Sequence, residues 1–423
     1  MRPHRTHRRP PLRAVGLSLI AVTLATVGLS AQAPSPSLAA TRVEAPALLT
    51  PIATNATRTT AAKRLVTLDP TVLPAEALGQ RIGLALPGGS AQVRLSGVEH
   101  ATAYTAWTGR LDGVPASSFN LVRVGSEFRG AVVSPEGVFS LTSASGGRYW
   151  LTEVPPRRMS SADDAATVRT PAPTSSPTSG RTSARQAKGK TRIGVMFGYT
   201  SAAKIAVGGK AAIKAAAALV ISQTNEALAN SGLKVKLSLR GVVKAKGKES
   251  TDAVKDAFRV SRARDGHFDN LQKVRKRHHA DIVHLFTSGD PTTLCGGGLI
   301  PITPRRASPA AGASVTFVEC LPYLVATHEL GHNLGADHID YPGISHDSKM
   351  AGSHGFANPA GNYISVMSYY EPCSDTGVFT CVRIPFFSSP TNTYNAQPLG
   401  VDKLTDNAGV IKQIAPRVAR YVR

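Results

Sequence analysis

Three histidines, a glutamate and two glycines share one short stretch, "ATHELGHNLGADHID", from Ala326 to Asp340. On a helix, His328 and His332 stand four residues apart and project from one face, one turn above the other. Two imidazoles so placed can hold one zinc ion. Glu329, beside the first, lies where a carboxylate can hold and deprotonate a water. A third donor requires the chain to turn back. Gly335, three residues after His332, is the residue type that accepts positive φ and ends helices, and the turn brings His338 towards the same ion. Three imidazoles leave a fourth position open, as catalytic zinc requires. The reading is one catalytic Zn2+ on His328, His332 and His338, with Glu329 as general base towards a zinc-bound water. The alternative is a zinc protein without catalysis that binds an extracellular peptide or surface.

The elements around this stretch must position it. A helix over 321–334 carries the first two ligands. Before it, "TRIGVMFGYT", "LKVKLSLRGVVKA" and "ADIVHLFTSG" read as strands. "AAIKAAAALVISQTNEALANSG" reads as a helix stopped at Gly232. A second helical stretch runs from Ser250 or Thr251, either of which can cap it, to about His279. Strands alternating with helices indicate an α/β layer. The basic run Lys273–Arg277 reads as the solvated face of a helix rather than a binding patch. Residues 65–154 differ: short alternating runs, each closed by Gly, Pro, Ser or Asn, read as a meander of β-hairpins. Residues 41–64 look poorly ordered, and residues 155–190, rich in Pro, Ser and Thr, read as a linker.

The compartment follows from the first forty residues and from the cysteines. Five arginines up to Arg13, an uncharged apolar run over 14–30 and small-residue sites up to Ala40 have the order of a secretory signal peptide over 1–40. Cys295, Cys320, Cys373 and Cys381 are the four cysteines, an even number suited to two disulfides in an exported chain. Of three pairings, local closure favours Cys295–Cys320 and Cys373–Cys381. The chain is basic, with 49 Lys and Arg against 27 Asp and Glu. The excess is spread along it, and no zinc-finger spacing or aromatic-basic interleaving accompanies it. Nucleic acid is therefore not an expected partner. The expected protein is secreted, monomeric and without stable membrane association.

Downstream, "YISVMSYY" places Met367 where a turn could lay an apolar floor under the three imidazoles. Together with His328, Glu329, His332, Gly335 and His338, this resembles the metzincin clan of zinc endopeptidases. Within the clan the chain is similar to the reprolysin-like enzymes, and particularly to the bacterial peptidyl-Asp metalloendopeptidases. The likeness rests on "ADIVHLF", "LVATHELGHNLGADH", "SVMSYY" and "IPFFSSPTNTYNAQPLGVDKLTDNAGVI", and covers residues 191–423.

The resemblance implies an α/β (α+β) catalytic domain with a twisted, mostly parallel sheet and an irregular lower subdomain after Gly335. A small, mainly-β prodomain over 65–154 would precede it, removable at the linker. It also implies that a protein or peptide substrate adds to a sheet edge as an extended strand, with "CGGGLIPITP" and "ASVTFVEC" as candidate edges. Gly296–Gly298 would let that backbone approach; the plainer reading is a turn beside a disulfide. Tyr369, two residues after Met367, matches a tyrosine that in some relatives assists oxyanion stabilisation. Arg383 could pair with a substrate carboxylate, against the plainer reading of an exposed arginine. Related enzymes place Asp directly after the third histidine, where Ile339 stands here. Calcium around Asp340 and Asp347 would come without a recognisable ligand loop.

Overall fold

The structure is a computed structural model that describes residues 45–52, 63–76, 79–87, 89–155, 165–167, 189–292 and 294–422. The residues read as a signal peptide and most of the linker lie outside these.

The N-terminal part is a nine-stranded antiparallel sheet in which the seven strands from Arg81 to Val154 form a meander. From one edge its strands run Leu49–Pro51, Lys63–Leu68, Tyr149–Val154, Gly137–Ser143, Glu127–Ser134, Ser118–Val124, Tyr104–Leu111, Gly89–Ala101 and Arg81–Leu86. The two edges meet: Leu48 N–H donates to Gly83 O, and Gly83 N–H to Pro46 O, both at 2.8 Å. The sheet is thus drawn into a barrel whose interior is apolar, with Leu48, Val66, Leu84, Leu95, Trp107, Leu121 and Leu151 in one buried cluster. Alternation puts one face of each strand inside and the other outside. The expectation of poor order over 41–64 is corrected for 45–52: Leu48 and Leu49 are 1% and 4% exposed, because they close the barrel.

A six-stranded sheet organises the rest, in the order Ala165–Thr167, Gly296–Ile300, Ala313–Phe317, Ile282–Thr287, Thr191–Tyr199, Val235–Lys244. Its pairings are parallel except between Gly296–Ile300 and Ala313–Phe317. Among the described residues antiparallel pairing prevails, because every strand pair of the N-terminal sheet is antiparallel. The two central parallel strands are buried on both faces, as crossover connections require: all six residues of Ile282–Thr287 and the last seven of Thr191–Tyr199 are buried. The helix Lys210–Asn230 packs against the sheet and ends before Gly232, whose φ is +72°. The next helix, Ala253–Ser261, starts at neither Ser250 nor Thr251. Asp252 caps it, its side chain accepting from Lys255 N–H at 2.9 Å. Arg275, from the run read as solvated, is 5% exposed and donates to Ala280 O and Pro309 O; its neighbours Lys276 and Arg277 are exposed.

Of the two candidate edges, Ala313–Phe317 is interior, paired on both sides. Gly296–Ile300 lies one strand in. The edge itself belongs to Ala165–Thr167, a short piece of the expected linker, paired in parallel with Gly298, Leu299 and Ile300.

After Gly335 the chain is irregular, with strands of two to six residues and a five-residue helix, Glu371–Asp375. Cys373–Cys381 ties this region, and Cys295–Cys320 ties the glycine strand to the segment ahead of the metal-site helix. The helix Asn407–Val418, capped by Asp406, packs Val410, Ile411 and Ile414 back onto the core. Among the described residues no helix is long and apolar enough to cross a membrane.

Candidate metal centre

The helix that carries the first two histidines is shorter than the 321–334 expected. A 3-10 segment, Val318–Tyr323, precedes it, and the α-helix proper runs Val325–Asn333. The break is at Leu324, held at φ +59°, directly after Tyr323 and two residues beyond Pro322, which offers no N–H to a continuous helix. Every residue of Val325–Asn333 is buried. Asn333 anchors its end: the side-chain amide donates to Leu299 O, Ala311 O and Ala313 O at 2.9–3.0 Å. Its Oδ1 accepts from Ser314 Oγ at 2.8 Å. Behind Ser314 stands His284, whose Nδ1 lies 2.8 Å from that hydroxyl. Burial alone pushes the His284 pKa down to about 3. Sequence reading passed over both Asn333 and His284, since a lone polar residue in an apolar run carries no spacing to read.

Gly335 turns the chain with φ +90°. A side chain there would also meet Ile414 Cγ1 at 2.9 Å and Met350 Cε at 3.0 Å. Past this turn His338 faces the helix. Nε2 of His332 lies 3.1 Å from Nε2 of His328 and 3.0 Å from Nε2 of His338. Each ring is oriented from behind by a backbone carbonyl: His328 Nδ1 by Val366 O at 2.8 Å, His332 Nδ1 by Ala336 O at 2.9 Å, and His338 Nδ1 by Ser345 O at 2.9 Å. A carbonyl only accepts, so Nδ1 carries the proton in all three rings, and in the neutral imidazoles Nε2 carries the lone pair. Three lone pairs converging at 3.0–3.1 Å repel one another. A tetrahedral zinc with Zn–N of about 2.0–2.1 Å, which sets its nitrogens roughly 3.3 Å apart, turns that repulsion into ligation. The donor set fits the ion, and these are the His, Cys, Asp or Glu residues that cluster this way among those described.

Met367 lies beneath. A Cβ on Gly331 would come within 2.5 Å of its Sδ and 3.0 Å of Phe387, so the apolar floor touches the helix between its two ligands. The Tyr369 hydroxyl is 3.2 Å from His338 Nε2, and its ring stands against His328 and His338 with centroids 5.9 and 4.9 Å away.

The Glu329 carboxylate lies against the glycine strand. A Cβ on Gly296 would overlap Glu329 Oε1, and one on Gly298 would sit 2.8 Å from His332 Cβ and 3.0 Å from Glu329 Oε2. Here Gly296 and Gly298 admit the metal-site helix, while Gly297 admits the backbone of Ala253 and Val254. The turn reading of these glycines is corrected, since all three are in a strand.

Ile339 fills an apolar cluster with Ile344 and Tyr369. The structural acid stands two residues earlier, at Asp337: Oδ1 accepts from His338 N–H at 2.8 Å, and Oδ2 from the N–H groups of Asp347 and Ser348 at 2.7 and 2.6 Å. Arg383 is 2% exposed and not solvated as the plainer reading had it. It donates to Ser368 O at 2.8 Å and Tyr323 O at 3.3 Å, and its guanidinium lies 5.5 Å from the centre of the Tyr370 ring.

Residues 214–339 match the family described as Metallo-peptidase family M12B Reprolysin-like, and the match takes in the metal-site helix and His338. These residues form a reprolysin-like metallopeptidase domain, and the chain is a zinc metalloendopeptidase. Two relatives are each named peptidyl-Asp metalloendopeptidase. The one from Stenotrophomonas maltophilia is 27% identical over 322 residues, 75% of this chain and 73% of the relative. The one from Xanthomonas campestris pv. campestris is 25% identical over 313 residues, 74% and 72% of the two chains. Metalloproteinase-II from Bacteroides fragilis is a structural neighbour at TM-score 0.47 and 12% identity, covering 82% of this chain and 95% of that one.

Proposed function

We propose that this reprolysin-like peptidase is a secreted, latent endopeptidase in which His328, His332 and His338 hold one catalytic zinc and Glu329 is the general base. The observation that carries the reading is the convergence of three Nε2 atoms, each Nδ1 tied to a carbonyl, with Glu329 on the same helix. Zinc, when bound, acidifies a water and polarises the scissile carbonyl. The chain's own groups do the rest. Glu329, on the face of the glycine strand, takes the proton from the attacking water and returns it to the leaving amine. The Tyr369 hydroxyl, at hydrogen-bond reach of His338 Nε2, donates to the oxyanion that develops on the substrate carbonyl. Ala336, Ser345 and Val366 hold the three rings in one tautomer through their carbonyls, and Met367 keeps the floor apolar.

An extended peptide would lie along Gly298–Ile300, pairing its backbone with that strand. Ala165–Thr167 takes that edge, which supports reading residues 65–154 and the linker as a propeptide that a substrate must outlive or displace. Residues 65–190 contain no cysteine, so the barrel and linker would block the site without a thiolate on the metal. The two disulfides suit an exported chain. The relatives' names raise cleavage beside aspartate, and Arg383 is a buried cation next to the Met367 turn that would read such a carboxylate.

Glu329→Ala tests the catalytic assignment. The variant is expected to bind zinc stoichiometrically and to lose casein hydrolysis by roughly 10²–10⁴-fold, while a chelator abolishes hydrolysis by the wild type. Retained hydrolysis in zinc-loaded Glu329→Ala would remove Glu329 from the mechanism. N-terminal sequencing of the exported protein tests latency: a start near residue 190 supports the propeptide, and a start near residue 40 makes the barrel a permanent module.

A further inference from the structure

The barrel sits on the helix Lys210–Asn230, and the contact holds an unexpected ionisable group. Strand Ser118–Val124 alternates, as strands do. Phe119 and Leu121 join the barrel interior, whereas Val122 joins the cluster that contains Ala216, Val220 and Ala227 of the helix. Ser118 and Asn120 share the Val122 side. They are 4% and 1% exposed, and there they meet a carboxylate. Glu226 Oε2 accepts from Ser118 Oγ and from Asn120 Nδ2, each at 2.5 Å. Ser222, one helical turn earlier, donates to Asn120 Oδ1 at 2.6 Å. The Glu226 residue keeps partial exposure, but its carboxylate end lies in this cluster, bonded to neutral donors.

The charged group that acts on it is Arg110 of Tyr104–Leu111. That guanidinium is directed to Pro115 O at 2.8 Å and Asn230 Oδ1 at 3.4 Å, and makes no ion pair with Glu226. Among the other charges on the elements packed here, Arg123 of Ser118–Val124 lies over the Trp107 ring, 5.8 Å from its centre. Lys236 of Val235–Lys244 pairs with Glu99 at 2.9 Å. Arg129 of Glu127–Ser134 interacts with Glu127. Lys210 and Lys214 are at the far end of the helix. The metal-site helix meets this one through Thr327 on Thr224 at 3.0 Å.

We propose that Ser118, Asn120, Ser222 and Glu226 form a proton-dependent latch, which seats the barrel on the peptidase helix in acid and loosens it towards neutral and alkaline pH. The proposal deepens, and rests on, the reading of the barrel as a removable propeptide. The sign follows from where Glu226 holds a proton. With the barrel docked, loss of water around the carboxylate outweighs the bonds from Ser118 and Asn120, and the pKa is pushed up to about 7. With the barrel away, the side chain stands on a helix surface and titrates near 4.3, the ordinary glutamate value. Docking therefore takes up a proton between those values. Its support is full in acid and is lost as pH rises through 7. By linkage this one group weakens docking on the order of 50-fold between pH 5 and pH 8.

The test uses the full chain, kept from self-cleavage by Glu329→Ala and nicked at a protease site placed in the linker between residues 170 and 185. The Kd of the nicked complex is measured by sedimentation from pH 5 to pH 8. The expected result is a Kd that rises on the order of 50-fold over that range. Glu226→Gln, which keeps the shape and removes the proton, should flatten the dependence and hold the barrel at pH 8 about as firmly as the parent does at pH 5. Asn120→Ala should weaken the complex at every pH. A parent complex with a pH-independent Kd, or a Glu226→Gln complex with the parent's slope, overturns the latch. Sequencing of the exported protein separates this from the reading beneath it: a start near residue 40 with a steep Kd profile removes the propeptide and leaves the latch.

Discussion

The Tyr369 hydroxyl and His338 Nε2 are 3.2 Å apart, and both residues are 1% exposed. In the proposed mechanism a phenol held so close to this nitrogen, out of bulk water, donates to the negative charge that develops in peptide hydrolysis. Tyr369→Phe keeps the ring that packs on Ile339 and Ile344 and removes only the donor. Turnover should fall roughly 10²-fold, the usual loss for one oxyanion donor, with KM nearly unchanged. Zinc content, measured in the same samples, should stay stoichiometric. Unchanged kcat would leave Tyr369 as a packing residue.

Gly296→Ala acts on Glu329 from the opposite side. The added methyl would overlap the end of the carboxylate rather than backbone, so the side chain must swing aside while the fold stays. A fall in kcat of roughly 10-fold or more is expected, with thermal stability within about 1 kcal/mol of wild type. A variant with full activity would show that the carboxylate does not need this placement.

What could be read in advance had a period or a fixed spacing. His328 and His332 are legible because i and i+4 share a helical face; Gly335 because the turn to His338 needs positive φ; Met367 because it stands in a defined turn motif. The strands around Val195, Leu237 and Leu285 announce themselves as apolar runs. The rest depends on contacts between distant segments. Leu324, an ordinary apolar residue in sequence, adopts left-handed backbone and starts the helix late. Asp337 takes up the loop at Asp347 and Ser348, although the motif directs attention to Ile339. Nothing local in "ADDAATV" tells that Ala165–Thr167 pairs with Gly298–Ile300, and barrel closure at Gly83 joins residues far apart in the chain.

Gly335→Ala tests the turn. The position combines φ +90° with Ile414 Cγ1 and Met350 Cε at 2.9 and 3.0 Å from any added Cβ. Left-handed strain alone costs about 1–3 kcal/mol. Because the strain falls between His332 and His338, zinc affinity should drop together with Tm. A competition titration with a chelator reads the first and calorimetry the second. Wild-type affinity and Tm together would show that the turn tolerates a side chain.

Arg383 is tested by cleavage profiling of a peptide library. If its guanidinium reads a substrate carboxylate, the wild type should enrich acidic residues at one position beside the cut bond. Arg383→Gln should reduce that enrichment about 10-fold or more. The residue also braces Ser368 O and Tyr323 O, so only zinc-loaded, folded variant counts. An acidic preference that survives in Arg383→Gln assigns specificity elsewhere.

His284 supplies a pH-dependent stability test away from the metal. It is fully buried between Phe197 and Phe286, with ring centroids 5.3 Å from each, and burial lowers its pKa to about 3. In the unfolded chain the same side chain ionises near 6.5. Between those values the unfolded state binds the extra proton. Stability is therefore intact above about pH 6.5 and falls as pH drops towards 3. At pH 4.5 the loss from this residue alone is roughly 2–3 kcal/mol. His284→Gln, which retains a donor for Ser314 and cannot take the proton, is expected to be less stable at pH 7.5. It should lose less stability than wild type between pH 7.5 and pH 4.5. Urea denaturation of full-length protein at the two pH values measures the difference. Equal losses in the two proteins would show that His284 is protonated in the folded state or reaches solvent there.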